Sequence, residues 1–238
     1  METNGKPNSE IFIELFTEIE QSLKEICNDT YHSNFGELLR KARGLHPVVQ
    51  QFATDLKEYA QLRNAITHTR RENFVIAEPH DDVVKDIRRI RNLLSNPPKI
   101  STVMKRKPYF ATPQTPLMEM LDTFASKGFM RCPVVDSGRV VCIVTAKTLA
   151  KWMTSKHEST VNYSKASLAD IIPYADGNDF TIVSENSDVV SLVGQFKNAM
   201  KKGNYLQAVV VTRTGRADSP IVGLLAPSDF PLLLEQMS

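Results

Sequence analysis

The sequence lacks most of the features that mark secreted, metal-binding or membrane proteins. Its three cysteines, Cys27, Cys132 and Cys142, are an odd number without metal-ligand spacing, which argues against a disulfide framework or a zinc site. No apolar run approaches 18 residues and no signal peptide stands at the start, so we expect a soluble, cytoplasmic protein without a membrane span. The formal net charge of +2 favours neither nucleic acid nor membrane as a partner.

Clusters of residues that carry enzyme chemistry are also scarce. Gly36, Gly44 and Gly128 stand isolated, so the sequence has no glycine loop that would cradle a phosphate. The histidines do not gather with carboxylates at the spacing of metal ligands. The sequence therefore predicts no metal site and no required cofactor.

The chain has two parts of different character. From residue 10 to residue 96, apolar residues recur at intervals of three and four, which is typical of amphipathic helices. This pattern predicts helices over about 11–26, 47–68 and 80–95. The Asn96-Pro97-Pro98 run ends the third helix, because proline cannot continue one. The polar residues 1–9 are predicted to be disordered.

The second part contains a pattern that occurs twice, in residues 112–149 and 184–230. Each copy has a helical segment, an apolar strand, a turn, a second apolar strand and a short hydroxyl or acidic motif. The strands of the first copy are joined by Ser137-Gly138, a signal for a tight turn, whereas the connection over 212–220 is longer. A repeat of this size predicts a duplicated βαββα unit. The expected fold class is therefore α+β, with an N-terminal helical bundle before two such units.

The repeat resembles a tandem pair of CBS domains, also called a Bateman module. The resemblance covers about residues 100–238 and rests on the Pro-Val-Val-Asp strand start at 133–136, the Gly-Leu-Leu-Ala-Pro-Ser-Asp run at 223–229 and the duplication itself. It implies one copy over 99–155 and another over 156–238. It also implies that the cleft between the copies binds an adenine nucleotide or dinucleotide as a regulatory ligand.

In that family a Thr/Ser-x-x-Asp motif contacts ribose and phosphate, and each copy of this chain keeps half of it. Copy one has Thr145 but carries Thr148 in the acidic position, whereas copy two has Asp229 but carries Ala226 in the hydroxyl position. A charge-assisted hydrogen bond is roughly twice as strong as a neutral one. One good ligand site is therefore expected near Asp229, with Ser228 partly replacing the missing hydroxyl.

The resemblance implies further ligand contacts at the entries of the strands. Arg131 and Gln207 would reach the ligand, and the backbone around Phe110 or Thr181 would enclose an adenine. The alternative is structural, because aspartate and threonine also cap helices. Under that interpretation Asp229 and the two threonines are capping residues and the clefts stay empty.

The helical part carries a compact polar motif, Arg63-Asn64-x-x-x-His68, at the predicted end of its second helix. The motif resembles the Arg-x4-6-His signature of HEPN domains, which are helical bundles found in many RNases and toxins. The segment 73–79 is similar to the connector that these domains place before their last helix. The resemblance spans about residues 10–95 and implies a HEPN-like domain.

Such a motif suits RNA cleavage without a metal ion. A histidine takes the proton of the ribose 2′-hydroxyl, and an arginine holds the scissile phosphate. Arg63 lies about 100° from Asn64 around an ideal helix, so a homodimer is expected to complete the site by bringing two motifs together. Arginines at 70–71 and within 88–91 supply positive charge for an RNA backbone.

The sequence leaves two functions open. In the first, an adenine nucleotide regulates a HEPN-like endoribonuclease. In the second, the chain is a non-enzymatic sensor whose helical domain dimerises or binds a protein partner. His68 then caps a helix C-terminus, Arg63 and Asn64 hold the bundle together, and the arginines within 88–91 pair with nearby aspartates.

Overall fold

The computed structural model describes residues 5–29, 33–68, 77–104, 108–155 and 162–237, with the backbone alone at His68. The chain combines helices and sheets and divides into two compact units. The helical unit comprises Met1–Pro98, Val189–Gly194 and Gln236–Ser238, and the second unit comprises Lys99–Asp188 and Gln195–Glu235. Within the described ranges, no helix has both the length and the apolar character needed to cross a bilayer.

Five helices make up the main part of the helical unit. They are α1 (Asn8–Cys27), α2 (Phe35–Ala42), α3 (Pro47–Gln51), α4 (Ala53–His68) and α5 (Asp81–Ser95). The periodic apolar residues of the sequence form the buried faces of α1 and α5. The fully buried side chains of this unit include Phe12, Ile19, Leu23, Leu38, Leu56, Ile87 and Ile90.

The first helix begins at Asn8, inside the segment for which the sequence predicts disorder. The Ser9 amide donates a hydrogen bond to Glu78 Oε1 (2.9 Å), and Asn8 Nδ2 donates to the carbonyl oxygen of Pro79 (3.0 Å). These partners lie about 70 residues away along the chain. A prediction from local composition therefore misses them.

The predicted second helix over 47–68 is divided at Phe52, whose φ of −109° and ψ of 20° depart from helical values. Hydrogen bonds from Phe52 N to Val48 O (2.9 Å) and from Leu56 N to Phe52 O (2.9 Å) continue through the division. The Phe52 side chain is buried, and the guanidinium of Arg89 lies 5.0 Å from the centroid of its ring. Tertiary packing of this ring accounts for a distortion that apolar periodicity does not predict.

Helix α2 has no counterpart among the predicted helices. It is eight residues long, which is too short for periodicity to stand out. The side chain of Asn34 caps it by accepting a hydrogen bond from the Glu37 amide at 3.0 Å. An asparagine followed three residues later by a glutamate is a recognisable signal for a helix start, and it was available in the sequence.

The second unit contains five strands and the remaining helices. The strands are β1 (Arg131–Asp136), β2 (Arg139–Thr145), β3 (Phe180–Ser184), β4 (Ala208–Thr212) and β5 (Ile221–Leu225). The helices are α6 (Leu117–Lys127), α7 (Ala146–Ser155), α8 (Val189–Lys201), whose first residues belong to the helical unit, and α9 (Phe230–Glu235).

Both copies follow the order expected of a βαββα unit. In copy one β1 and β2 are antiparallel, and the first strand is reduced to a single parallel bridge between Ala111 and Val134. In copy two β3 runs parallel to β4, which pairs antiparallel with β5. The two copies therefore share one topology, and copy one has the shorter first strand.

The connections between the paired strands differ as the sequence predicts. Ser137 and Gly138 have φ values of 48° and 78°, the positive values that a two-residue hairpin of type I′ requires. The longer loop of copy two contains Gly215 at φ 80°, where an added Cβ would lie 3.1 Å from Ser184 N. The tight turn at 137–138 is thus confirmed.

Apolar residues from both copies meet in one cluster of the second unit. Val140 and Ile143 of β2 pack with Ala208 and Val210 of β4, and all four are buried. This shared cluster fixes the two copies against each other. It thereby determines which strand ends of the two copies lie side by side.

Candidate ligand-binding cleft

A cleft of about 840 Å³ lies in the second unit beside Asp229. Both copies form its walls, which consist of Val103, Pro108, Tyr109, residues 127–131, Leu224, Leu225, Ala226, Ser228, Asp229 and Leu232. This volume falls within the range of roughly 300–1,000 Å³ typical of small-molecule sites. We refer to it as the Asp229 cleft.

Asp229 is held in the cleft by the start of α9. It ends the short 3-10 turn Pro227–Asp229 between β5 and α9, and its Oδ2 accepts a hydrogen bond from the Ala226 amide at 2.8 Å. The capping role that the sequence offered as an alternative is therefore present. The half-buried carboxylate makes no other hydrogen bond to a described residue, so Oδ1 is available to a ligand hydroxyl.

Arg131 is the first residue of β1 and lines the same cleft. Its Nε–H is buried and has no hydrogen-bond partner among the described residues. Leaving a buried donor unpaired costs about 1–3 kcal/mol, more for a charged group. An acceptor on a bound ligand would offset this cost.

The described residues that line the cleft carry a positive charge on balance. They include the cations Lys127 and Arg131 and one carboxylate, that of Asp229. The Lys127 ammonium lies 5.7 Å from the centroid of the Tyr109 ring. Within the described part of the chain, no three histidine, cysteine or acidic side chains converge to hold a metal ion.

Aromatic side chains form one apolar wall of the cleft. The rings of Tyr109 and Phe129 have their centroids 6.1 Å apart, and burial raises the pKa of the Tyr109 hydroxyl, which stays neutral at physiological pH. The sequence predicts that the backbone around Phe110 encloses the base; the Phe110 side chain is 49% exposed, and Phe110 is not among the residues that line the cleft. Side chains alternate along an extended segment, so the side chain of Tyr109 faces the cleft and that of Phe110 does not.

Thr145 and Thr148 bond to each other at the start of α7. The Thr145 amide donates to Thr148 Oγ1 (3.1 Å), and the Thr148 amide donates to Thr145 Oγ1 (3.2 Å). Both residues are buried and neither lines the Asp229 cleft. Thr148 thus accepts a hydrogen bond from the amide three positions earlier, as Asp229 does from the Ala226 amide. This is the capping role that the sequence offered as the alternative to ligand binding.

Lys147 lies between these threonines, at the position that Ser228 holds in copy two. Its Nζ lies 2.7 Å from Asp179 Oδ1 and 3.4 Å from Asp176 Oδ2. The hydrogen bond to Asp179, a buried carboxylate, raises the pKa of Lys147. Copy one therefore has an ion pair at the residue position where copy two has Ser228 in the wall of the Asp229 cleft.

Two other predicted ligand residues lie outside the Asp229 cleft. Thr181 Oγ1 lies 3.5 Å from Gln195 Oε1. The Gln207 amide donates to the carbonyl oxygen of Asp179 (2.6 Å), and its Nε2 donates to that of Tyr205 (3.4 Å). Neither Thr181 nor Gln207 lines the cleft.

The fold therefore brings together Asp229, Ser228 and Arg131 from the predicted ligand set. It adds Tyr109 and Lys127, which sequence reasoning missed. Nothing local distinguishes these two residues from other surface residues. Only the packing of the two copies brings them to Asp229, more than 100 positions later in the chain.

The polar motif of the helical unit lies on α4. The Arg63 guanidinium lies 6.0 Å from the centroid of the Phe16 ring, and its Nη1 donates to Asn64 Oδ1 at 3.2 Å. Asn64 is exposed. The side chain of His68 and all of residues 69–76, including both arginines at 70–71 and most of the predicted connector, lie outside the described residues.

Two of the arginines on α5 are engaged within the helical unit. Arg89 Nε donates to Asp86 Oδ1 at 2.9 Å, and its Nη1 donates to the carbonyl oxygen of Met237 at 3.0 Å. Arg91 Nε lies 3.0 Å from Glu18 Oε2. The pairing of Arg89 with an aspartate agrees with the alternative in which these arginines serve the structure.

Comparison with known proteins bears on the second unit. The family model described as "CBS domain" matches residues 100–155, which is copy one. The match does not extend to the helical unit, so the HEPN-like interpretation of residues 10–96 stays a prediction. No curated protein sequence matches the chain.

Three solved structures are similar to this chain over about three fifths of its length. The CBS domain pair of protein MJ0100 in complex with 5′-methylthioadenosine and S-adenosyl-L-methionine is 19% identical, with 60% of this chain and 99% of that chain covered and a TM-score of 0.43. CBSX2 in complex with AMP is 13% identical (59% and 98% covered, TM-score 0.43). A CBS domain-containing protein from Kribbella flavida is 12% identical (58% and 99% covered, TM-score 0.45).

The TM-scores of these three structures all lie below 0.5, so the assignment rests on the family match and on the topology of this chain. The matched residues contain the bridge at Ala111, α6, β1, β2 and α7. Copy two repeats that order with β3, α8, β4, β5 and α9. Residues 100–155 therefore match the CBS domain family, and copy two repeats their order of strands and helices.

Proposed function

We propose that this chain is a sensor that binds an adenine nucleotide in the Asp229 cleft. The observation that carries the proposal is the combination of groups in one cavity of suitable size. A carboxylate with one free oxygen, an arginine with a buried unpaired donor and an aromatic wall suit the three parts of a nucleotide.

The ribose is assigned to Asp229. Its Oδ2 is held by the Ala226 amide, which fixes the carboxylate and leaves Oδ1 as an acceptor for a sugar hydroxyl. A hydrogen bond to an ionised acceptor is stronger than one between neutral groups. Ser228 lines the same wall and offers a further hydroxyl.

The phosphate is assigned to the side of the cleft that carries Arg131 and Lys127. The planar guanidinium of arginine presents several donors to a phosphate, and lysine adds a point charge. Arg131 brings a buried N–H that no described residue satisfies. An anionic ligand therefore suits this cleft better than a neutral nucleoside.

The base is assigned to the apolar wall formed by Tyr109 and its neighbours. Tyr109 of copy one offers a ring face to the cleft. Three leucines of copy two also line it, namely Leu224, Leu225 and Leu232. Burial of a planar base against such groups excludes water from both.

Calorimetric titration of the full chain with AMP, ATP, S-adenosylmethionine and a cyclic dinucleotide tests the proposal. We expect AMP to bind with one site per chain. Asp229→Asn keeps an oxygen for the Ala226 amide but removes the charge, and should weaken AMP binding about tenfold or more. Asp218→Asn, a change at an exposed aspartate of the same unit, is the matched control and should leave the affinity unchanged.

If the unaltered chain, with Asp229 intact, shows neither heat of binding nor a shift in melting temperature with any of these ligands, the sensor proposal is wrong. Equal weakening by Asp229→Asn and Asp218→Asn would also contradict the assignment of the ribose site, since only Asp229 lines the cleft.

The proposal extends to the helical unit, which the ligand state would regulate. Regulation requires that the nucleotide bind two arrangements of the protein with different affinity. The unit is proposed to be HEPN-like and to form a homodimer, with RNA as its candidate substrate. Sedimentation of the full chain with and without AMP measures the dimer, and a monomer under both conditions would exclude it.

The regulated activity has two candidates, endoribonuclease or non-enzymatic adaptor. The contact of Arg63 with the Phe16 ring and its bond to Asn64 favour the adaptor, because they use the guanidinium within the protein. RNA cleavage by the full chain, lost in Arg63→Ala and in His68→Ala, would establish the nuclease. Absence of cleavage, or cleavage unchanged by both substitutions, would leave the adaptor.

A further inference from the structure

The chain re-enters the helical unit directly after α9. Helix α9 belongs to the second unit, whereas Gln236–Ser238 belong to the helical unit. There Met237 is only 5% exposed, and its carbonyl oxygen accepts a hydrogen bond from Arg89 Nη1 at 3.0 Å. The segment after α9 is therefore anchored in the helical unit.

The anchor is rigid because Arg89 is held by several groups. Arg89 Nε donates to Asp86 Oδ1 (2.9 Å), and the Tyr59 hydroxyl donates to Asp86 Oδ2 (2.5 Å). Burial and this bond raise the pKa of Tyr59, so the hydroxyl remains a donor. The guanidinium also stacks over the ring of Phe52, 5.0 Å from its centroid. Arg89 thus presents Nη1 to Met237 from a fixed position.

The other end of α9 begins at the candidate ligand group. Asp229 ends the turn that leads into Phe230–Glu235, and Met237 follows eight residues after Asp229. Within the second unit the Leu233 side chain is fully buried, and the Phe230 ring lies 5.6 Å from the Phe196 ring. A helix of six residues spans only about 9 Å, too short to absorb a displacement of either end.

We propose that the segment from Asp229 to Met237 links the ligand cleft to the helical unit. A nucleotide that contacts Asp229 fixes the start of α9, and the Arg89–Met237 bond passes this constraint to α5. The inference rests on the proposed function, because it needs a ligand at Asp229. It adds the route by which that ligand stabilises the helical unit, and coupling of this kind acts in both directions.

Hydrogen exchange of the α5 amides in the full chain, with and without saturating AMP, tests the link. Arg89→Met removes the donor to Met237, and deletion of residues 236–238 removes the acceptor while leaving the network around Arg89 intact. Arg88→Met removes the neighbouring arginine and is the matched control. Calorimetry on the same samples measures the affinity for AMP.

We expect AMP to slow exchange of the α5 amides in the unaltered chain and in Arg88→Met. In Arg89→Met and in the deletion this slowing should disappear, with AMP affinity within about threefold of the unaltered chain. Slowing that persists in either variant, or AMP that binds the unaltered chain without affecting α5, would overturn the link and leave the sensor. No binding of AMP to the unaltered chain would instead sink the sensor, and the link with it.

Discussion

Replacing Arg131 by methionine should weaken the binding of AMP while leaving the fold intact. Arg131 lines the cleft, and its buried Nε–H makes no hydrogen bond to a described residue. Methionine is unbranched and flexible enough to fill the space, but it has no charge and no donor. Because no intramolecular bond to Nε is lost, the free energy of unfolding should change by less than about 1 kcal/mol.

The expected loss of affinity follows from the group removed. A hydrogen bond to a charged group contributes about 1.5–3 kcal/mol, and each 1.4 kcal/mol is a factor of ten in affinity. AMP should therefore bind Arg131→Met about 10- to 100-fold more weakly. Adenosine lacks the phosphate, and its affinity should fall by less than about threefold.

The assay is calorimetric titration of AMP and adenosine at one ionic strength, since salt screens such contacts. Arg139→Met is the matched control, because Arg139 is an exposed arginine of β2 that does not line the cleft, and it should leave both affinities unchanged. Equal losses for AMP and adenosine, or no loss for either, would refute the assignment of the phosphate to Arg131.

Three further predictions concern stability and reactivity. Asp229→Ala removes the bond to the Ala226 amide and should lower the free energy of unfolding by about 0.5–2 kcal/mol in urea denaturation, whereas Asp229→Asn should cost less. Thr148→Val leaves the buried Thr145 amide without its acceptor and should cost about 1–3 kcal/mol without changing AMP affinity. Burial raises the pKa of the Cys132 thiol from 9.0 to about 12, so stability should decrease as the pH rises above 9, and at pH 8 a thiol reagent should modify Cys132 only on unfolding.

Each of these predictions has a contrary outcome. Unchanged stability of Asp229→Ala would mean that the cap contributes nothing, and weaker AMP binding by Thr148→Val would place ligand at the threonine pair. Rapid modification of Cys132 in the folded protein would show that the core of copy one opens readily. Above pH 9.0 the unfolded thiol ionises while the folded thiol stays protonated, so the free energy of unfolding should fall. An increase in the free energy of unfolding above pH 9.0 would contradict this prediction.

Local patterns of the sequence predict much of the fold. The doubled order of strands and helices follows from the repeat, and the Ser137-Gly138 pair predicts the hairpin because both residues take positive φ. The proline pair at 97–98 stands where α5 has ended and the units divide. Each of these features depends on residues within a few positions of one another.

Features that depend on distant partners were not predictable. The distortion at Phe52 reflects its contact with Arg89, and the early start of α1 reflects bonds of Ser9 to Glu78. For the site, the half-motif predicts Asp229 as a ligand group, and the structure places Asp229 in the wall of the cleft. The ion pair of Lys147 depends on how copy two packs against copy one, which no local pattern encodes.

The two half-motifs of the repeat acquire different roles in the structure. In copy one both positions carry hydroxyls, and these satisfy each other at the start of α7. In copy two the acid bonds to the Ala226 amide through one oxygen and keeps the other free. The residues at these two positions differ between the copies, and this difference separates a closed cap at Thr145 and Thr148 from a candidate ligand group at Asp229.

A crystal structure of the full chain grown with AMP tests the central claim most directly. We expect density for one nucleotide per chain in the Asp229 cleft, with a ribose hydroxyl within about 2.5–3.0 Å of Asp229 Oδ1 and the phosphate beside Arg131. Density beside Lys147 and Asp179 instead, or an empty Asp229 cleft at saturating AMP, would contradict the assignment of the nucleotide to this cleft.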